Sequence, residues 1–128
     1  MKSDSEFHLD QITQISVNAH DVKRAEAFYR DKLGMKHLFT VPNMAFFDCG
    51  GIRLMVGIAS SPDLDHPSSI LYFKVKNIQE AHQTLSERGV QFATQPFMVA
   101  QMPTYELWLA EFRDSEQNVL SLMAEVPR

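Results

Sequence analysis

The sequence predicts an α+β fold of two tandem βαβββ modules, each a small sheet packed on its own helix. Three observations carry that expectation. Short runs alternate apolar and polar residues, as half-buried strands do. Each half holds one apolar stripe at helical spacing, opened by a capping residue and closed by a glycine. The stretch "ASSPDLDHPSS", rich in Pro, Ser and Asp, divides the chain between the halves.

Residues 1–8 are polar and read as a loose terminus. "QITQISVNAHD" then predicts a strand over about residues 12–19, with Ile15, Val17 and Ala19 on one face and Gln14, Ser16 and Asn18 on the other. Asp21 reads as a helix N-cap. Val22, Ala25, Phe28, Tyr29 and Leu33 follow as one apolar stripe, ended by Gly34. "MKHLFTV" reads as the second strand. In "MAFFDCGGIRLMVGI" the Gly50-Gly51 pair is a two-residue hairpin signal. That turn sets Cys49 opposite Ile52, Asp48 opposite Arg53, Phe47 opposite Leu54 and Phe46 opposite Met55, and opposed residues share a face.

The first module thus spans about residues 9–59, the linker 60–69 and the second module about 70–126. "SILYFKV" opens the second module, with Leu71, Phe73 and Val75 on one face and Ile70, Tyr72 and Lys74 on the other. Asn77 and Glu80 form a capping box. Ile78, Ala81 and Leu85 form the helical stripe, and Gly89 closes it. "VQFAT", "ELWLAEF" and "NVLSLMAEV" read as strands, with a Met-rich loop over residues 96–103 that either lids a site or touches a second copy. Asp21 with Asn77, and Gly34 with Gly89, mark a weak internal repeat with a period of about 55 residues. Each sheet would bury one face on its helix, leaving the opposite faces to close around a shared cleft.

At 128 residues, 45% of them hydrophobic and 22% charged, the chain suits one globular domain. A net charge of −4 without a basic run argues against nucleic acid and anionic membranes as partners. No apolar run approaches the ~18 residues of a membrane span, and the N-terminus lacks the apolar core of a secretory leader. Cys49 is the only cysteine, so no internal disulfide forms. These features predict a cytoplasmic setting.

"HDVKRAEAFYRDKLGM" resembles the helix signature of the vicinal oxygen chelate superfamily, which includes glyoxalase I, bleomycin-resistance proteins and extradiol dioxygenases. "LYFKVKNIQEAHQTLSERGVQF" resembles the start of its second module, and "FRDSEQNVLSLMAEV" its C-terminal F-x-D-P-x-G-N-x-(I/L)-x-(L/F) segment. The resemblance covers about residues 11–125. Asp114-Ser115-Glu116-Gln117-Asn118 departs from the usual Asp-Pro-x-Gly-Asn, so a turn of different shape is expected there. The resemblance implies a cupped mixed sheet of half-barrels with the helices on its convex face, usually in a homodimer. In the metal enzymes of this superfamily four cup-face strands each give one ligand. Carried onto this chain, those positions are Gln14, Met55, Ile70 and Ser121.

These four do not make an ordinary divalent site. Gln14 is an acceptable oxygen donor. Met55 offers a soft thioether suited to Cu(I), Ile70 cannot ligate, and a neutral Ser121 hydroxyl is a poor ligand. No metal and no other cofactor are therefore expected. His8, His20, His37, His66 and His82 show no paired ligand spacing and read as surface or cap residues. No nucleophile elbow, dinucleotide fingerprint or P-loop is present. Cys49 reads as a buried thiol on the helix-packed face.

By strand parity the cup face holds Gln14, Ser16 and Asn18, then Phe46, Asp48, Arg53 and Met55 from the hairpin, then Ile70, Tyr72 and Lys74. The last strands add Leu107, Leu109, Glu111, Val119, Ser121 and Met123, while Trp108, Ala110 and Phe112 face the helix. Apolar and aromatic walls with a few polar handles suit a small amphiphilic ligand. Asp48 and Arg53 either fix a polar ligand group or form an ordinary cross-strand ion pair. Tyr72 either binds a ligand or packs. Glu111 is a candidate catalytic base if burial raises its pKa, and otherwise a carboxylate in water. Three functions follow: a metal-free small-molecule binder; a glyoxalase-like lyase, isomerase or dioxygenase using a displaced metal or Glu111; or a dimeric interaction module with a vestigial cup.

Overall fold

Two four-stranded sheets carry the chain, and the computed structural model describes residues 7–128. The expectation for the terminus falls largely on residues 1–6, outside the described residues. The first module runs β1 (Gln14–Asn18), α1 (Val22–Ala27), β2 (Lys36–Val41), β3 (Met44–Cys49) and β4 (Ile52–Gly57). The second runs β5 (Leu71–Lys74), α2 (Ile78–Glu87), β6 (Phe97–Gln101), β7 (Tyr105–Arg113) and β8 (Val119–Pro127). The sheet orders are β1-β4-β3-β2 and β5-β8-β7-β6, so the βαβββ repeat holds strand for strand. In each sheet only the first and last strands of the module pair in parallel, because the rest of the module connects them.

Side-chain parity decides what each sheet buries. Val17, Ala19, Ala45, Phe47, Leu54 and Val56 in the first sheet are each at most 3% exposed, as are Ala110, Phe112, Leu120, Leu122 and Ala124 in the second. All lie on the helix side, as the alternation required, and they merge into one core shared by both modules. The opposite faces are left open.

Helix α1 begins where the cap is. The Asp21 carboxylate accepts from Arg24 N at 3.0 Å. Past Ala27 the helix widens into a π-helical turn, Phe28–Lys32, in which Leu33 N donates to Phe28 O at 3.1 Å. The extra residue per turn carries both Phe28 and Tyr29 into the core. Asp21→Ala is expected to lower folding stability by about 1 kcal/mol, the usual worth of such a cap, and a urea melt reads it. Helix α2 starts the same way, with Glu80 N donating to the Asn77 side chain at 3.0 Å. The β3–β4 turn holds Gly50 at φ 61° and Gly51 at φ 93°, a geometry that favours glycine at both places, and its register is the expected one.

Three expectations change. "VQFAT" supplies a single bridge, Phe92 to Phe112, and not a strand. The strand is β6, inside the segment expected as a loop, paired to β7 with a bulge between Met98 and Ala100. Pro96 and Pro103 punctuate the ends of an edge strand, where a missing N–H is tolerated. Phe97, Met98 and Val99 therefore lie on a sheet edge and are each more than 40% exposed. Cys49 is half-buried and not fully buried, because it ends β3 beside the turn; burial and the neighbouring Asp48 push its thiol pKa up. Among the described residues, no helix is long and apolar enough to cross a membrane.

Candidate ligand cup

The open face of the first sheet is organised around Arg53. Its Nε donates to the Gln14 side-chain oxygen at 2.7 Å, and its guanidinium lies 5.5 Å from the Phe46 ring centroid. Phe46 is in turn stacked on Phe39, with centroids 4.5 Å apart and planes at 26°. Arg53 and Asp48 are opposed in register, as expected, but form no ion pair. Asp48 instead accepts from Gly51 N at 3.2 Å and closes the turn. Gln14, brought alongside by the parallel β1–β4 pairing, offers Arg53 an oxygen above an aromatic face, a cation–π position. The Gln14 amide nitrogen lies 4.0 Å from the Met55 sulfur, and Ser16 beside them is exposed.

The open face of the second sheet is more apolar. Ile70 and Tyr72 are 44% and 49% exposed, and Lys74 is exposed beyond them. Leu109 and Met123 face each other across β7 and β8, both half-buried. Glu111 is half-buried opposite Ser121, which is fully buried. The Ser121 hydroxyl donates back to the carbonyls of Ala110 (3.3 Å) and Leu122 (2.9 Å).

The donor set at the four family ligand positions does not fit a divalent metal. Gln14 offers one oxygen, already held by a guanidinium that a cation would have to displace. Met55 brings a thioether, Ile70 nothing, and Ser121 a hydroxyl turned into its own strand. Among the described residues, no group of three or more His, Cys, Asp or Glu is placed to hold a metal ion.

A cleft of about 550 Å³ is walled by Asn18, Ile70 and Val119, by the linker residues His66, Pro67 and Ser68, and by Arg113, Glu116, Gln117 and Asn118 of the β7–β8 turn. The linker is thus part of the site and not a passive connection. It contains a short 3-10 turn, Pro62–Leu64, and Asn18 holds it in place. The Asn18 side-chain amide donates to the carbonyls of Leu64 (2.9 Å) and His66 (2.8 Å), and its backbone N–H donates to Ser68 Oγ at 3.1 Å. His20 and Asp65 also line the cleft, with His20 Nε2 2.9 Å from Asp65 Oδ1. Sequence reasoning missed this pair, since no local spacing links residues so far apart. A second, apolar concavity of about 510 Å³ lies on the helix side, between α2 and β5, lined by Phe73, Val75, Leu85 and Leu122 with Leu33 and Met35.

Beneath the cleft the modules are locked by the β7–β8 turn. Asp114 and Asn118 are buried there. Glu116 accepts from His20 N (2.8 Å), Asp21 N (3.0 Å) and Arg24 Nε (2.7 Å), and its side chain is 1% exposed. Burial alone would raise its pKa. The Arg24 guanidinium, the two backbone N–H groups and the Ser115 hydroxyl outweigh burial and hold it down at about 2.

The family profile of the Glyoxalase/Bleomycin resistance protein/Dioxygenase superfamily matches residues 10–123. The chain belongs to that superfamily. Solved structures agree on the fold. A superfamily member from Sphaerobacter thermophilus is 24% identical, with a TM-score of 0.75 over 91% of this chain and 98% of its own. A lactoylglutathione lyase from Agrobacterium tumefaciens is 18% identical, with a TM-score of 0.72 over 91% and 94%. A glyoxalase/bleomycin resistance protein/dioxygenase from Nocardioides is 21% identical, with a TM-score of 0.73 over 94% and 86%. No curated protein matches the chain. Identities this low show a shared architecture and leave the activity to be argued from the site.

Proposed function

We propose that this superfamily member binds a small amphiphilic or aromatic organic molecule in its cup, without a metal, in the cytoplasm, as a homodimer whose second copy covers the open faces. The observation that carries this reading is the occupant of the first ligand position. A guanidinium is hydrogen-bonded to Gln14 where a metal enzyme of this fold would hold a cation. The surrounding surface is aromatic and apolar: Phe46 under Arg53, then Ile70, Tyr72, Leu109 and Met123, with Arg53 and Lys74 as polar handles. Such walls bury an organic ligand, and a few polar groups orient it. The half-exposed Ile70, Tyr72 and β6 edge support a covering copy.

Calorimetric titration with naphthalene-type aromatic acids and alcohols tests the reading. Saturable binding is expected, weakened about tenfold by Tyr72→Ala, a change that removes one aromatic contact. If no compound in the set binds, or if purified protein keeps stoichiometric zinc, nickel, iron or manganese through dialysis, the reading fails. A second reading, metal-free acid–base catalysis, rests on Glu111, a half-buried carboxylate on the same face. Glu111→Gln distinguishes the two, since it abolishes turnover in an enzyme and leaves binding intact in a carrier.

A further inference from the structure

Another cleft, of about 400 Å³, opens between the π-helical turn after α1, the loop after α2 and the β7–β8 turn. Its electrostatics run against those of the molecule. The chain carries a net charge of −4, yet Lys32 and Arg113 both line this cleft, and neither forms an ion pair among the described residues. The one carboxylate in its wall, Asp114, is buried and engaged. It accepts from Tyr29 OH (2.6 Å), from the backbone N–H groups of Glu116 and Asn118 (both 2.8 Å) and from the Asn118 side chain (2.8 Å). Arg113 gives one N–H to the Gln117 carbonyl at 2.9 Å, which steadies the guanidinium and leaves its other donors free. Lys32 places its ammonium 5.8 Å from the Phe28 ring centroid. Phe28 and Phe92 give the cleft an apolar side.

The backbone adds an independent observation. Gln117 lies at φ 70°, the one non-glycine residue with positive φ among those described. Glycine adopts such a conformation without side-chain strain. A glutamine in the left-handed region is strained and persists only when its surroundings hold it there, and such strain clusters at binding sites. Here the strained residue lines the cleft, and its carbonyl accepts from Arg113.

We propose that this cleft binds a phosphate monoester, or a comparable dianion, carrying a compact apolar group. The two cations match the double charge, the Gln117 side chain is a neutral donor in the same lining, and Phe28 and Phe92 receive the apolar part. Lys32, Phe28 and Phe92 line this cleft alone, whereas Arg113 and Gln117 also line the 550 Å³ cleft beside the linker.

Phenyl phosphate, inorganic phosphate, benzoate and benzyl alcohol titrated into the full chain, followed by backbone amide NMR shifts and calorimetry, test the proposal. Phenyl phosphate is expected to bind saturably, to shift the amides of Gly89, Ser115 and Gln117, and to bind more tightly than the other three. Lys32→Gln and Arg113→Gln should each weaken it about tenfold, the scale of a charge-assisted hydrogen bond. Gln117→Gly should weaken it severalfold while the thermal midpoint stays level or rises, which a purely structural glutamine would not do. The proposal is overturned if phenyl phosphate fails to saturate. It is overturned equally if the folded double variant Lys32→Gln/Arg113→Gln binds undiminished, or if benzyl alcohol or inorganic phosphate binds as well as phenyl phosphate.

Discussion

Replacing Asp114 by alanine is expected to lower folding stability by about 4 kcal/mol, a large part of the stability of a domain this size. Its carboxylate is the shared acceptor for four donors that belong to both modules. Tyr29 OH reaches it from α1's π-helical turn at 2.6 Å, and Glu116 N, Asn118 N and the Asn118 amide reach it from its own turn. Tyr29 is fully buried; burial, and then the Asp114 charge, push its phenol pKa far up, so it remains a proton donor. Alanine removes the acceptor of that hydroxyl and of two backbone N–H groups, and each buried donor left unmatched costs about 1–3 kcal/mol. Urea unfolding at neutral pH measures the loss. Combining Asp114→Ala with Tyr29→Phe should recover part of it, because the second change removes one orphaned donor. A loss below about 1 kcal/mol for the single variant would mean that water reaches the turn.

Much of this was legible in the sequence because it is local. Asp21 and Asn77 cap helices through a residue three positions on, and Gly50-Gly51 fixes the β3–β4 register. Period-two alternation separated the helix side of each sheet from the open side, which placed Gln14, Arg53, Met55 and Tyr72 on the open face, whereas Ser121, expected there too, is fully buried. What the alternation could not say is which neighbour each would choose. Arg53 had an opposed carboxylate in Asp48, yet it bonds Gln14, a residue that only the parallel β1–β4 pairing brings within reach. The same limit hid the linker's role. Asn18 meets His66 across 48 residues and His20 meets Asp65 across 45, so no local spacing announces them. Strand β6 was missed for a different reason. Pro96 and Pro103 are breakers in a central strand but ordinary neighbours of an edge strand, and the sequence does not say which strand is the edge.

Acid is expected to weaken the joint between the modules through Glu116. In the folded chain its pKa is held down to about 2, against an ordinary 4.5. A depressed carboxylate pKa means that the unfolded chain binds the proton more tightly than the folded one. Stability from this group is therefore fully present above pH 4.5 and is lost as pH falls from there toward about 2. A displacement of this size corresponds to about 3 kcal/mol. That is credible for a side chain 1% exposed, bridging His20, Asp21 and Arg24 of one module to the β7–β8 turn of the other. Glu116→Gln isolates the effect from other carboxylates such as Glu26 and Asp31, whose pKa values are also lowered and which it leaves in place. At neutral pH the variant should be less stable by about 3 kcal/mol, because a neutral amide answers the Arg24 guanidinium poorly. Between pH 4.5 and about 2 the two stability curves should converge, since the wild-type carboxylate is then becoming neutral as well. Curves that stay parallel through that window would show that the Glu116 charge does not hold the modules together, and that the turn is kept in place by Asp114 and Asn118 alone.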